Sequence, residues 1–438
     1  MESLGALIFD MTPEDIQSKI NQYLPVRDAE KNKYGEVFTT PRLIKEMLEC
    51  FPPSVFSNPN LKWLDPANGI GNFPIAVYAM LMEGLERWEP SPCNRSNHII
   101  RNMLYMVEIN PKNVKISREI FGADANICCS DFLDETDWSS KFCINKFDII
   151  IGNPPFQDEI KDKDATKPRK GGKNKLYERV TIKCLSLLNP NGYLLFVTPD
   201  NIMTGNTNKA YKEIIKYDTL YISFNNIRKR YFPSIGQSMC YFVIHYSGKN
   251  DKTKTRIINQ NNQNISVILK DRNINPVRDW TSETEKIFSE YITNNRNNSV
   301  YYRGTTECDY KGGQNTVIYL PNRENIYLKT NNEKLAPGLG IKKIVLFETV
   351  PASSGIVDYK GEYGVGPHAI YIPFKTNTEG GLLERFFKSP IYRKLVDSSQ
   401  TSHRYLKVTL ISHLNLDKII NKIPEEMTID EASLGLPR

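Results

Sequence analysis

The chain has 438 residues, 40% hydrophobic and 24% charged, with a formal net charge of +7, proportions that exclude a disordered or fibrous chain and leave room for two or three domains. No apolar run approaches the ~20 residues of a membrane span, and residues 1–10 lack the basic and apolar regions of a secretory signal. The eight cysteines include no Cys-x-x-Cys pair and the five histidines show no zinc-ligand spacing, so a reduced, intracellular chain without a structural metal is expected.

Taken in chain order, Thr40 and Pro41 suit a helix start, as N-cap and first helical residue. From residue 60 short apolar runs alternate with amphipathic stretches. The predicted strands are Lys62–Leu64, Met103–Glu108, Ala125–Cys128, Phe147–Ile151, Gly192–Thr198, Leu220–Phe224 and Met239–Tyr246. Apolar spacing of three and four predicts helices over Ile75–Leu85, Pro111–Ile120 and Tyr177–Leu188. This alternation implies a parallel α/β sheet with helices on both faces. The last two strands flank a segment too short for a crossover helix, so an antiparallel pair at the sheet edge is expected. Composition then shifts. Gly248–Ser266 is rich in Lys, Asn, Gln and Thr and ends in the run Asn259–Asn264, which predicts a polar linker or insertion. Beyond it come a helix over Thr281–Tyr291, short strands from Val300 to Phe374, and helices around Leu382–Val396 and Leu414–Lys422. Residues 1–248 carry 30 Lys+Arg against 29 Asp+Glu, and residues 249–438 carry 27 against 21. The positive charge therefore lies in the second part, where it suits a polyphosphate partner.

The chemistry gathers at the predicted strand ends. In Trp63-Leu-Asp65-Pro66-Ala67-Asn68-Gly69-Ile-Gly71-Asn72-Phe73 a strand runs into glycines, which permit backbone angles closed to other residues and let a ligand approach the main chain. Pro74 stands at the third glycine position of a dinucleotide fingerprint, so that reading is disfavoured. Glu108 ends the next strand and can accept from both hydroxyls of a ribose. The third strand leads to Ser130-Asp131-Phe132, where a carboxylate can accept from an exocyclic amine. The fourth runs into Asn153-Pro154-Pro155-Phe156, whose prolines hold the loop stiff. The Asn153 side-chain oxygen and the Pro154 carbonyl can accept from one NH2 group. An aromatic amine is a poor nucleophile because its lone pair is delocalised into the ring. Two acceptors favour tetrahedral nitrogen and stabilise the charge that grows as a methyl group arrives. Phe156 offers a face for stacking a base.

With these motifs in order over about residues 30–247, the chain resembles the gamma-class N6-adenine DNA methyltransferases, including the modification enzymes of restriction systems. Tyr34-Gly-Glu-Val-Phe38-Thr39-Thr40-Pro41 resembles the segment that in this class touches the methionine part of S-adenosylmethionine. Lys175-Leu-Tyr177 through Thr198-Pro199 resembles the next helix and fifth strand, and Tyr231-Phe232-Pro233 the late loop whose aromatic stacks the flipped base, Phe232 ahead of Tyr231. The resemblance implies a Rossmann-like class I fold with a seven-stranded sheet over residues 1–248. A mixed α+β target-recognition domain follows over 249–438, with 249–266 as linker or insertion. It implies S-adenosylmethionine bound by Tyr34, Phe38, Thr39, Thr40, Pro41, Asp65, Pro66, Ala67, Gly69, Gly71, Asn72, Phe73, Glu108, Ile109, Asp131, Phe132, Asn153 and Pro155. Asn153, Pro154, Pro155 and Phe156 are the expected catalytic loop. Asn68 stands where the class often has Cys, a packing change that should leave this site intact, and the insertion Glu83–Arg101 lengthens the span to Glu108.

A base in a duplex cannot reach such a loop and has to be flipped out. The basic segment Lys161–Lys175, with Lys167, Arg169, Lys170 and Lys173, and the stretch Leu382–Ser399, with Arg385, Lys388, Arg393 and Lys394, are candidate phosphate contacts. The latter resembles the closing helix of target-recognition domains. Double-stranded DNA is the expected partner, and a separate cognate endonuclease stays open as a second. RNA and protein-glutamine methyltransferases use similar loops, and cytosine N4 shares the chemistry. A Thr-Pro segment before the glycine turn and a basic domain after the sheet favour DNA, and asparagine at position 153 leans toward adenine.

Overall fold

A computed structural model describes residues 39–134, 137–156, 175–205, 208–248, 253–269, 272–277, 280–303, 312–319, 326–347, 355–399 and 408–422. The chain divides into two compact units, one reaching to Ile202 and including Asn208–Lys270, the other made of Met203–Thr207 and the chain from Asp271 onward.

The first unit is built on a nine-stranded sheet. Its strands are β1 (Trp63–Asp65), β2 (Leu104–Glu108), β3 (Asn126–Cys129), β4 (Phe147–Gly152), β5 (Leu188–Pro199), β6 (Asp218–Ser223), β7 (Met239–His245), β8 (Lys254–Ile258) and β9 (Asn264–Ile268), in spatial order β3-β2-β1-β4-β5-β7-β6-β8-β9. Strands β1 to β5 are parallel neighbours, and helices at Asn72–Gly84, Pro111–Phe121 and Leu176–Leu187 lie between them in sequence. All but one residue of β4 is buried, as a strand covered on both faces requires. The seven strands expected from apolar patterning are all present, and β7 pairs antiparallel with both β5 and β6.

Two expectations are corrected here. The β6–β7 pair is not the sheet edge, because the polar tract expected as a linker or insertion forms two further strands. β8 runs parallel to β6, and β9 returns antiparallel beside it. Thr255, Ile257, Ile265 and Val267 point inward while Lys254, Arg256, Asn264 and Ser266 face solvent, the period-two pattern of a half-buried strand. The Asn/Gln run is the hairpin turn. Asn259 Oδ1 accepts from the amides of Asn261 at 3.0 Å and Gln263 at 2.8 Å, and Asn262 takes a left-handed φ of 62°. The unit boundary accordingly falls at Lys270 rather than at residue 248.

The second unit holds a four-stranded sheet, β10-β16-β13-β14, and a three-stranded sheet, β12-β11-β15. The strands are β10 (Tyr301–Arg303), β11 (Asn315–Tyr319), β12 (Ile326–Thr330), β13 (Lys343–Phe347), β14 (Ile356–Asp358), β15 (Tyr363–Val365) and β16 (Ala369–Pro373). Ile344, Leu346, Ile370 and Ile372 share a core with Leu383, Phe386, Tyr392 and Leu395 from the helical segments. The expected single closing helix is two helices, Asn377–Lys388 and Pro390–Ser399. Pro390 keeps Ser389 extended, at φ −77° and ψ 155°. The Ser389 hydroxyl accepts from Tyr392 N at 3.2 Å and so caps the second helix.

Candidate functional site

The residues of the strand-end motifs converge because β3, β2, β1 and β4 lie side by side and parallel, so that Asp131, Glu108, Asp65 and Asn153 all emerge at carboxyl ends. The order reverses direction between β1 and β4, the crevice where open α/β sheets take ligands.

Glu108 organises the glycine turn. Its Oε2 accepts from Gly69 N at 2.7 Å and its Oε1 from Asn110 N at 2.7 Å, and the residue is buried. A carboxylate oxygen has two lone pairs, so the same group can hold the turn and a ligand diol. Ile109, at the tip, is 50% exposed, an apolar surface beside that carboxylate. Gly71 caps the helix Asn72–Gly84 at φ 100°, a left-handed value that favours glycine. A Cβ at Gly69 would meet nothing within 4 Å, so the turn faces open space. Asn68 donates through Nδ2 to Ser117 Oγ at 2.8 Å and Gly69 O at 3.1 Å. It thereby ties the turn to the helix Pro111–Phe121.

Asp65 is buried, its Oδ1 accepting from Ala67 N at 3.0 Å. Burial pushes its carboxyl up to about 8, the Ala67 amide opposes the shift, and the charge of Glu108 adds to it. The folded chain therefore binds this proton more tightly than the unfolded chain. The stability Asp65 contributes is full below the unfolded carboxyl value of about 4 and is lost as pH rises toward about 8. Thermal unfolding of the ligand-free chain is expected to show a decline over that window that is shallower in Asp65→Asn; equal slopes would refute the shift. A ligand cation set beside Asp65 acts in the opposite sense and favours the carboxylate.

Asn153 leaves β4 after Gly152, where φ is 154° and a Cβ would stand 3.0 Å from Asp65 Oδ1. Its Nδ2 donates to Thr39 Oγ1 at 3.0 Å. Thr39 is buried and precedes the helix Pro41–Leu48, which Thr40 caps by accepting from Leu43 N at 3.4 Å. Pro154, Phe156, Tyr231 and Phe232 are buried and Pro155 is half-buried. Sequence reasoning passed over Glu46. Its Oε2 accepts from Tyr231 Oη at 2.7 Å and Arg230 Nη2 at 2.9 Å, and its Oε1 from Tyr241 Oη at 3.1 Å. It ties the helix that follows Thr40 to the segment carrying Phe232. No local signal marks it, since its partners lie more than 180 positions along the chain.

Asp131 accepts from Leu133 N at 2.8 Å, an Asx turn, at the end of β3. Phe132 is turned into the core at 5% exposure, stacked on Trp138 at 5.4 Å with Lys183 Nζ 4.8 Å from its ring centroid. Arg385, Lys388 and Arg393 are exposed, but Lys388 pairs with Glu384 at 2.7 Å and Lys394 with Glu283 at 3.0 Å. Tyr34, Phe38, Lys167, Arg169, Lys170 and Lys173 lie outside the described residues. Among the described residues no group of three His, Cys, Asp or Glu could hold a metal, and no helix is long and apolar enough to cross a membrane.

Residues 102–232 match the Eco57I restriction-modification methylase family. That match runs from β2 through Phe232 and so contains Glu108, Asp131 and Asn153–Phe156. Modification methylase CviBIII of Paramecium bursaria Chlorella virus NC1A is 27% identical over 222 residues, 50% of this chain and 51% of that protein. An uncharacterized adenine-specific methylase of Mycoplasma pneumoniae is 23% identical over 297 residues, 49% of this chain and 68% of that protein. The chain thus spans about half the length of the first of these relatives and two thirds of the second. In fold it is similar to the ATP-dependent Type ISP restriction-modification enzyme LlaBIII, solved bound to DNA. The TM-score is 0.50 at 13% identity over 83% of this chain and 36% of that one. The resemblance read from the motifs stands, as does the α/β fold on a mainly parallel sheet.

Proposed function

We propose that this chain is a site-specific DNA methyltransferase that moves a methyl group from S-adenosylmethionine to N6 of an adenine flipped out of duplex DNA. The observation that carries the proposal is the Asn153-Pro154-Pro155-Phe156 loop at the end of β4, beside the carboxylates of Asp65 and Glu108. The open glycine turn and the paired acceptors of Glu108 fit a nucleoside, with Asp131 in reach of an adenine amine from the neighbouring strand end. When bound, the cofactor supplies an electrophilic methyl group on a sulfonium centre. Asn153 Oδ1 and the Pro154 carbonyl accept from the target NH2 and hold the positive charge that develops on nitrogen, and the proton departs after transfer. Phe156 and Phe232 stack the flipped base, which offsets unstacking by a few kcal/mol. The second unit selects the target sequence, and Arg385 and Arg393 are its candidate phosphate contacts. A cognate endonuclease on a separate chain is a natural partner for such an activity.

Expression in a host that lacks adenine methylation, followed by single-molecule sequencing of its DNA, tests the proposal. N6-methyladenine at one short motif is expected. Unmodified DNA from a chain that binds S-adenosylmethionine would redirect the search to RNA or protein substrates.

A further inference from the structure

A carboxamide is nearly symmetric in shape, so steric packing discriminates poorly between its two orientations, whereas hydrogen bonds do not. The distinction decides the chemistry at Asn153. Its oxygen is an acceptor for an incoming amine, whereas its NH2 would oppose a second set of donors. Pro154 limits the backbone of Asn153 to extended geometry, which leaves the side chain as the part still to be oriented. Its NH2 meets Thr39, whose Oγ1 accepts from Nδ2 at 3.0 Å. Thr39 is 3% exposed and is carried by a helix anchored through Leu43, Ile44, Met47 and Leu48. The neighbouring Thr40 hydroxyl is committed to Leu43 N, so the two threonines have separate tasks.

We infer that Thr39 is a positioning residue that anchors the Asn153 carboxamide at the end of β4, so that its free end is held where the target amine arrives. The inference rests on the methyl-transfer reading of Asn153. A threonine hydroxyl can donate as well as accept, so Thr39 fixes the place and plane of the carboxamide, and the donors of the target amine select the orientation that sets the Asn153 oxygen against them. This role differs from contact with the methionine part of the cofactor, expected for the segment around Thr39 from its resemblance. Cofactor contact predicts lost affinity; positioning predicts a lost rate.

Thr39→Val keeps the volume and removes the oxygen, while Thr39→Ser keeps the oxygen. With unmethylated plasmid DNA and saturating labelled S-adenosylmethionine, T39V is expected to lower kcat by about ten- to a hundredfold. The KM for the cofactor stays near the wild-type value, and T39S restores most of the rate. A second readout needs no turnover. In protein labelled with 15N at asparagine, the Asn153 side-chain amide is identified by its absence in Asn153→Ala. Its two protons are expected to exchange with water at different rates in wild type and T39S, and alike in T39V. Unchanged kcat with a raised cofactor KM in T39V overturns the inference, as does amide exchange that T39V leaves unaltered. A wild-type chain that binds the cofactor yet methylates no DNA overturns the functional reading instead, and this inference falls with it.

Discussion

Asn153→Ala is expected to lower kcat for methyl transfer by about two to three orders of magnitude, the usual cost of removing one preorganised group that stabilises developing charge. Affinity for the cofactor is expected to change far less than kcat, because Asn153 is one of many residues expected to bind it, with Glu108 and the glycine turn among the others. An interaction made mainly in the transition state appears in kcat and kcat/KM together and leaves ground-state binding alone. Alanine removes the oxygen and also leaves Thr39 without the amide it meets at 3.0 Å, so both halves of the arrangement are lost at once. Single-turnover methyl transfer, with cofactor titration by calorimetry, separates the two quantities. A variant as fast as wild type would take the carboxamide out of the chemistry.

The second large effect concerns stability. Lys343 opens β13 and Asp358 closes β14, and the two strands pair at that register. Their side chains are 0% and 1% exposed, with Nζ 2.6 Å from Oδ2. Burial works against the Asp358 charge. The bond from Lys343 and the amides of Tyr363 and Glu362 outweigh it and hold the carboxyl below its ordinary range. Burial likewise lowers the lysine, with Asp358 opposing. Lys343→Met removes one charge and leaves the other enclosed, which typically costs about 3–5 kcal/mol. A double change, K343M with D358L, removes both charges and is expected to cost less than K343M alone. Urea unfolding of the whole chain, read together with amide exchange in β13 and β16, measures this. If K343M matched wild type, the pair would carry no stability.

How much of this was legible beforehand varies by residue. Glu108 and Asn153 could be placed at strand ends because a parallel strand buried on both faces is an unbroken apolar run, and the residue that ends the run is visible in one dimension. The strand at 254–258 has the alternating pattern of Thr255 and Ile257, but its Asn-rich turn resembles a linker in composition. Its pairing with β6 spans more than thirty residues. The helix break at Pro390 was written in the chain as a proline and was hidden by apolar spacing that continues on either side.

The sequence by itself determined the order of the motifs, the chemical type of each group and the loop on which Asn153 sits, since these follow from residue identity and short-range periodicity. Only the tertiary structure decided which groups meet. Thr39 reaches Asn153 across 114 positions, Glu46 reaches Tyr231 across 185, and Phe132 turns inward against Trp138. Such contacts depend on how helices dock against the sheet. A hydroxyl or carboxylate looks the same in a sequence whether it faces solvent or orients another side chain.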